Sequence, residues 1–128
     1  MATGFPAVTG DVLSAAMYNG LVTFNITDQS GATYTVDNDD LYQVLIQTSN
    51  ASTKTVTIAP DATLTAAADG SAITFINTGA GDLTFAAGAG VTIASTGAAP
   101  TAPFVAQYAA CTAIRVAADS WIIVGAVQ

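Results

Sequence analysis

An all-β fold, drawn as a compact antiparallel sandwich or small barrel, is what this sequence predicts. Three observations carry the prediction. Apolar residues alternate with Thr or Asn in short runs, the runs recur at spacings of about ten residues, and Gly, Asn and Asp gather between them. Thr and the β-branched residues suit a pleated, half-buried surface. At 128 residues the chain can hold one domain with a real core.

The first 20 residues break the alternation. Gly4-Phe5-Pro6 and Thr9-Gly10 are irregular and extended, and Ser14 to Asn19 reads as one or two helical turns with Ser14 as N-cap and Gly20 as stop. So short a helix needs docking. Phe5, Val8, Leu13, Met17 and Tyr18 would supply its apolar contacts, either on the chain's own domain or as an arm anchored on a partner. The organisation expected is therefore an N-terminal anchoring arm, residues 1–20, and a β-domain, residues 21–128.

Strands are expected from Leu21 to Thr27 and from Ala32 to Val36, bracketing the turn cluster Asp28-Gln29-Ser30-Gly31. Leu41 to Thr48 follows the acidic turn Asp37-Asn38-Asp39-Asp40. Thr53 to Ile58, Ala72 to Ile76, Leu83 to Ala86 and Val91 to Ala94 come next, then Phe104 to Tyr108, Ala113 to Val116 and Trp121 to Val127. Asn77 to Asp82 reads as a hairpin loop between Ile73-Thr74-Phe75 and Leu83-Thr84-Phe85. Those triplets, with Val56-Thr57-Ile58-Ala59 recurring as Val91-Thr92-Ile93-Ala94, suggest a meander or a stack of strands.

Composition narrows function sharply. The chain has no His and no Glu, two basic residues (Lys54 and Arg115) and nine Asp, for a net charge of −7. Triads, Cys–His pairs and zinc sites need His or more Cys than the single Cys111. Gly79-Ala80-Gly81 and Gly88-Ala89-Gly90 lack the third glycine of a dinucleotide loop. No paired carboxylates converge in the sequence, so neither an enzyme nor a cofactor is expected. Asp37 to Asp40 invites calcium, but an EF-hand loop wants Gly where Tyr42 stands and Glu where Thr48 stands. An acidic surface repels nucleic acid and anionic lipid and suits a basic protein partner. From Leu83 to Ile114 no residue is charged, yet Gly, Pro, Thr and Ser make it a poor membrane helix, and Met1 to Gly10 lacks the pattern of a secretory signal.

Charged residues make up 9% of the chain, against about 25% in ordinary soluble domains. With so few, a monomer exposes large neutral or apolar patches, and oligomerisation is the simpler expectation. Phe104, Tyr108, Trp121 and Ile123 are the expected residues of the core or the oligomer interface. Cys111, in an apolar and uncharged setting, reads as a buried, unreactive thiol.

The runs Ile73-Thr74-Phe75-Ile76-Asn77-Thr78-Gly79-Ala80-Gly81 and Leu83-Thr84-Phe85-Ala86-Ala87-Gly88-Ala89-Gly90-Val91-Thr92-Ile93 resemble β-domains of tailed-bacteriophage virion structural proteins. The resemblance continues through Gln107-Tyr108-Ala109-Ala110, Ile114 and Trp121-Ile122-Ile123-Val124-Gly125. Upstream, Tyr34-Thr35-Val36 and Val56-Thr57-Ile58-Ala59-Pro60 fit the same pattern, so it spans about residues 33–126. Gly10-Asp11-Val12-Leu13-Ser14-Ala15-Ala16 is similar to the start of many phage fibre and virion proteins, the part that attaches to the particle. A departure lies before Gln107-Tyr108, where the family is basic or polar and this chain reads Ala98-Ala99-Pro100-Thr101-Ala102-Pro103-Phe104.

The resemblance implies a phage virion component, of a kind shared by tail fibres, head fibres and decoration proteins. About twenty residues before the β-domain and no heptads suit a capsid decoration protein on the capsid exterior, bound to the major capsid protein, and the resemblance implies a homotrimer. The alternative it implies is a tail-fibre or tail-tip adsorption module, in which Trp121 or the tyrosines contact host-surface glycans.

Overall fold

In the computed structural model, the residues described are Ala15, 25–41, 44–97 and 100–128. The proposed arm and its contacts Phe5, Val8, Leu13, Met17 and Tyr18 lie outside them. Ten strands account for about half of the described residues: β1 (Asn25–Gln29), β2 (Thr33–Thr35), β3 (Val44–Thr48), β4 (Lys54–Ile58), β5 (Ala72–Asn77), β6 (Leu83–Ala87), β7 (Thr92–Ser95), β8 (Phe104–Val105), β9 (Ala110–Ala117) and β10 (Ser120–Gly125). A 3-10 turn, Asn38–Leu41, precedes β3. No helix among the described residues is long and apolar enough to cross a membrane.

The strands form two mixed sheets. One has six strands in the order β1-β3-β5-β9-β10-β7, the other four in the order β2-β4-β6-β8. Purely antiparallel pairing, the expectation above, is corrected. Five of the eight pairings among the described residues are parallel, and only β9 with β10, β5 with β9 and β6 with β8 are antiparallel.

The reason lies in the turns. Asn77 to Asp82 is not a hairpin loop; it carries the chain from one sheet to the other. Ile73-Thr74-Phe75 and Leu83-Thr84-Phe85 therefore face each other across the core, where the Phe75 and Phe85 rings meet edge to face at 5.1 Å. Each strand then pairs with the strand one coil earlier: β1, β3 and β5 stack in one sheet and β2, β4 and β6 in the other.

From the second coil to the third the stacking is uninterrupted. Leu45 pairs with Thr74 and Ile58 with Ala87, a constant separation of 29 residues that runs through the corner between them. Corner backbone is bonded between the same two coils: Gly81 N–H donates to the Asn50 carbonyl, and Gly88 N–H to that of Ile58. Two glycines make this close approach possible. A Cβ on Gly79 would lie 2.1 Å from the Asn50 carbonyl oxygen, and one on Gly81 would lie 2.0 Å from that of Ser52.

Inward-facing residues of both sheets build one core, centred on Ile46, Val56, Ile58, Phe75, Phe85, Trp121 and Ile123. Leu64, in the segment between β4 and β5, closes one side of it. That segment is tied to the earlier coil by Asn38, whose amide donates to Thr65 Oγ1 and accepts from Ala66 N–H.

Candidate interaction face

Strand alternation sends every second side chain of the six-stranded sheet outward. Register then sets these residues in rows. Ile26, Leu45, Thr74, Thr112 and Val124 stand side by side across five strands. A second row runs Ala72, Ile114, Ile122 and Ala94, and a third Asp28, Gln47, Ile76 and Ala110. Ile26 is 64% exposed, Ile122 39% and Val124 42%. Asp28, at the edge, is the one charged residue in these rows.

The outer face of the four-stranded sheet differs. Thr33, Thr55 and Thr84 form one rank, and Thr35, Thr57 and Ala86 the next. Hydroxyls there serve one another and the backbone: Thr55 and Thr84 Oγ1 are 3.2 Å apart, and Thr84 Oγ1 donates to the Lys54 carbonyl. The six-stranded face has one such pair at its centre, Thr74 and Thr112 Oγ1 at 3.1 Å, but is otherwise mostly aliphatic, whereas threonines dominate the other face.

Charge is gathered at the ends of the strands. Arg115 grips Asp61 with two hydrogen bonds, Nε to Oδ1 at 3.2 Å and an Nη to Oδ2 at 2.6 Å, and also bonds Asp69. Asp61 accepts from the Asp119 N–H at 3.1 Å, and Asp119 from the Asp61 N–H at 2.7 Å. This latch fastens the β4–β5 connection to the β9–β10 turn, where Asp119 has φ +51°. The Arg115 hydrogen bonds are the main cause holding the Asp61 carboxyl below its usual range.

The expected acidic turn is a self-contained knot. Asp40, buried in the 3-10 turn, accepts from Tyr34 Oη at 2.7 Å and from Asp37 N–H at 2.9 Å, while Asp37 accepts from Asp39 N–H. Burial raises the pKa of Asp40, opposed by these bonds, and burial likewise raises that of Tyr34. Beside them a cleft of about 390 Å³ is lined by Thr27, Gln29, Tyr34, Asp37, Asp39, Asp40 and Val44. Among the described residues no three His, Cys, Asp or Glu gather in a way that could hold a metal.

The sequence-predicted core or interface residues fall in different places. Trp121 and Ile123 are fully buried, Phe104 is half-buried on β8, and Tyr108 is 77% exposed with φ +63°. The indole N–H of Trp121 has no acceptor among the described residues. Cys111 is buried, and desolvation pushes its thiol up to about 12.

Sequence reasoning missed the outward rows and one buried cation. In Trp121-Ile122-Ile123-Val124 both faces of the strand are apolar, so the run reads as core when half of it points out. Lys54 is 1% exposed and donates to the Gly31 carbonyl; burial lowers its pKa, and the nearby charge of Asp28 opposes that. Nothing in the surrounding Thr-rich run announces a buried lysine.

No family model matches the chain, and neither a curated protein nor a solved structure does.

Proposed function

We propose that this chain is a virion structural protein of the tailed-phage kind, a capsid decoration protein that sits on the outside of the shell as a trimer and stabilises it. In this reading residues 21–128 form a compact sandwich, residues 1–20 are the arm that anchors it, and the partner is the major capsid protein. The observation that carries the reading is the outer face of the six-stranded sheet, with Ile26, Ile122 and Val124 open to water and Asp28 its one charge. Ile122 and Val124 stand together on β10 and Ile26 on the edge strand β1, and exposed aliphatic side chains gathered on one sheet face mark a site of association. The resemblance of residues 33–126 to phage β-domains supplies the setting. The mechanism is mechanical: each subunit joins neighbouring shell proteins, and symmetry multiplies modest contacts.

One observation favours the adsorption reading, the 77% exposure of Tyr108. Among the described residues it stands alone, since Trp121 is buried and Tyr34 is bonded to Asp40. A sugar-stacking platform needs more than one open ring.

Copy number in purified virions tests the assignment. A decoration protein should be present on the order of hundreds per particle, as shell symmetry demands. A count below about a dozen would place the chain at the tail and overturn the decoration reading.

A further inference from the structure

We infer that the outer face of the six-stranded sheet is where one copy of this chain meets another, rather than where it meets the shell. The inference rests on the reading of the protein as one that works by assembly, and names the occupant of that face.

Charge is the first argument. Each copy carries a net −7, so two copies repel unless they approach through a surface that keeps their carboxylates apart. This face does so. Asp61, Asp69 and Asp119 are held around Arg115 in the latch, and Asp37, Asp39 and Asp40 lie in the 3-10 turn. A basic partner would instead be met with acidic side chains, which this face lacks except for Asp28 at its rim.

Size is the second argument. Six strands spaced ~4.8 Å apart, with about six residues at ~3.3 Å each, make a face near 600 Å² per copy and roughly 1,200 Å² for a pair, the lower bound of stable specific interfaces. The third is contrast within the same molecule. The other outer face presents ranks of Thr, a surface content in water; this one has a single Thr pair, Thr74 with Thr112, flanked by Leu45, Ile114, Ile122 and Val124, which alternation alone does not require.

Sedimentation velocity of the full chain at about 10 μM and physiological salt tests the inference, with Ile122→Asp and Val124→Asp on this face and Thr35→Asp on the other. Circular dichroism melts confirm that each variant is folded. Wild type and Thr35→Asp should be associated, and either apolar-face variant should weaken association by about thirtyfold or more. If the Asp variants do not fold, Val124→Cys replaces them: a bismaleimide of about 10 Å, the usual spacing of packed sheets, should join two copies, and should fail with Thr35→Cys.

Association unaffected by Ile122→Asp and Val124→Asp, or absence of the Val124→Cys cross-link, overturns the inference and leaves the assembly reading intact. So does a monomeric wild type that binds emptied heads and loses them on Ile122→Asp, since the face then belongs to the shell. A wild type that is monomeric and has no affinity for heads brings down both.

Discussion

Arg115 is one of two basic residues in a chain with nine aspartates, and it works inside a joint rather than on a surface. Its effect on stability should be visible in acid. The Asp61 carboxyl is held below its ordinary 3.8, first by the hydrogen bonds from Arg115 and further by the Asp119 N–H. The folded state therefore keeps that charge longer than the unfolded chain does. Its contribution is complete above about pH 4 and lost as the pH falls through the folded pKa. Asp40 has the opposite sign: burial raises its pKa, so its cost to the fold diminishes as the pH falls through the folded value. Melting temperature followed from about pH 5 to pH 2 should drop less steeply in Asp61→Asn than in wild type, and parallel curves would refute the latch. Cys111 gives a second residue-scale prediction. With its thiol pushed up to about 12 and its side chain in the core, a maleimide should leave it unmodified in the native protein and react stoichiometrically after denaturation. Rapid labelling of folded protein would contradict the burial.

At the scale of elements, the corners are more demanding than the strands. Gly81→Ala should destabilise by about 3 kcal/mol or prevent folding, because the added methyl meets Ser52 backbone 2.0 Å away, and backbone cannot rotate aside. Thermal or urea unfolding measures it; a loss under about 0.5 kcal/mol would mean that the two coils are not stacked there. The strands themselves were largely legible in the sequence. Runs at Ala32 to Val36, Leu41 to Thr48, Thr53 to Ile58 and Ala72 to Ile76 coincide with β2 to β5 within a few residues, because period-two alternation is a local property. Pairing direction was not legible. Asn77 to Asp82 has the composition of a hairpin loop, and only the apolarity of both flanking strands on their inner sides, Phe75 and Phe85, tells that it spans two sheets. The 29-residue spacing was hidden for a related reason: stacking preserves which residues point inward, not their identity, so Val44-Leu45-Ile46 lies beside Ile73-Thr74-Phe75 with a different residue at every matched position. The triplets that did repeat by letter, Ile73-Thr74-Phe75 and Leu83-Thr84-Phe85, belong to one coil.

For the whole molecule, scarcity of charge pointed to association, but composition has no geometry. Only the sheet register converts Ile26, Leu45 and Val124, 98 positions apart at the extremes, into neighbours in one row. The proposed contact between copies makes a prediction about salt. Two bodies of net −7 that meet through a face whose one charge in the outward rows is Asp28 gain from screening. Self-association measured by sedimentation should strengthen between about 20 mM and 300 mM sodium chloride, whereas an interface built on ion pairs would weaken. The latch and the acidic knot, whose hydrogen bonds are internal to the subunit, should be spectators to this change.

The uninterrupted register between the second and third coils bears on how such a chain could come to vary in length. A tandem duplication of the segment 44–72 would add one full storey, with the same corner, the same inward row and the same outward row, and with a second copy of Asp61 and Asp69, of which one set would face the single Arg115 of the latch. Height is therefore open to change by a single in-frame event, while the cross-section stays fixed.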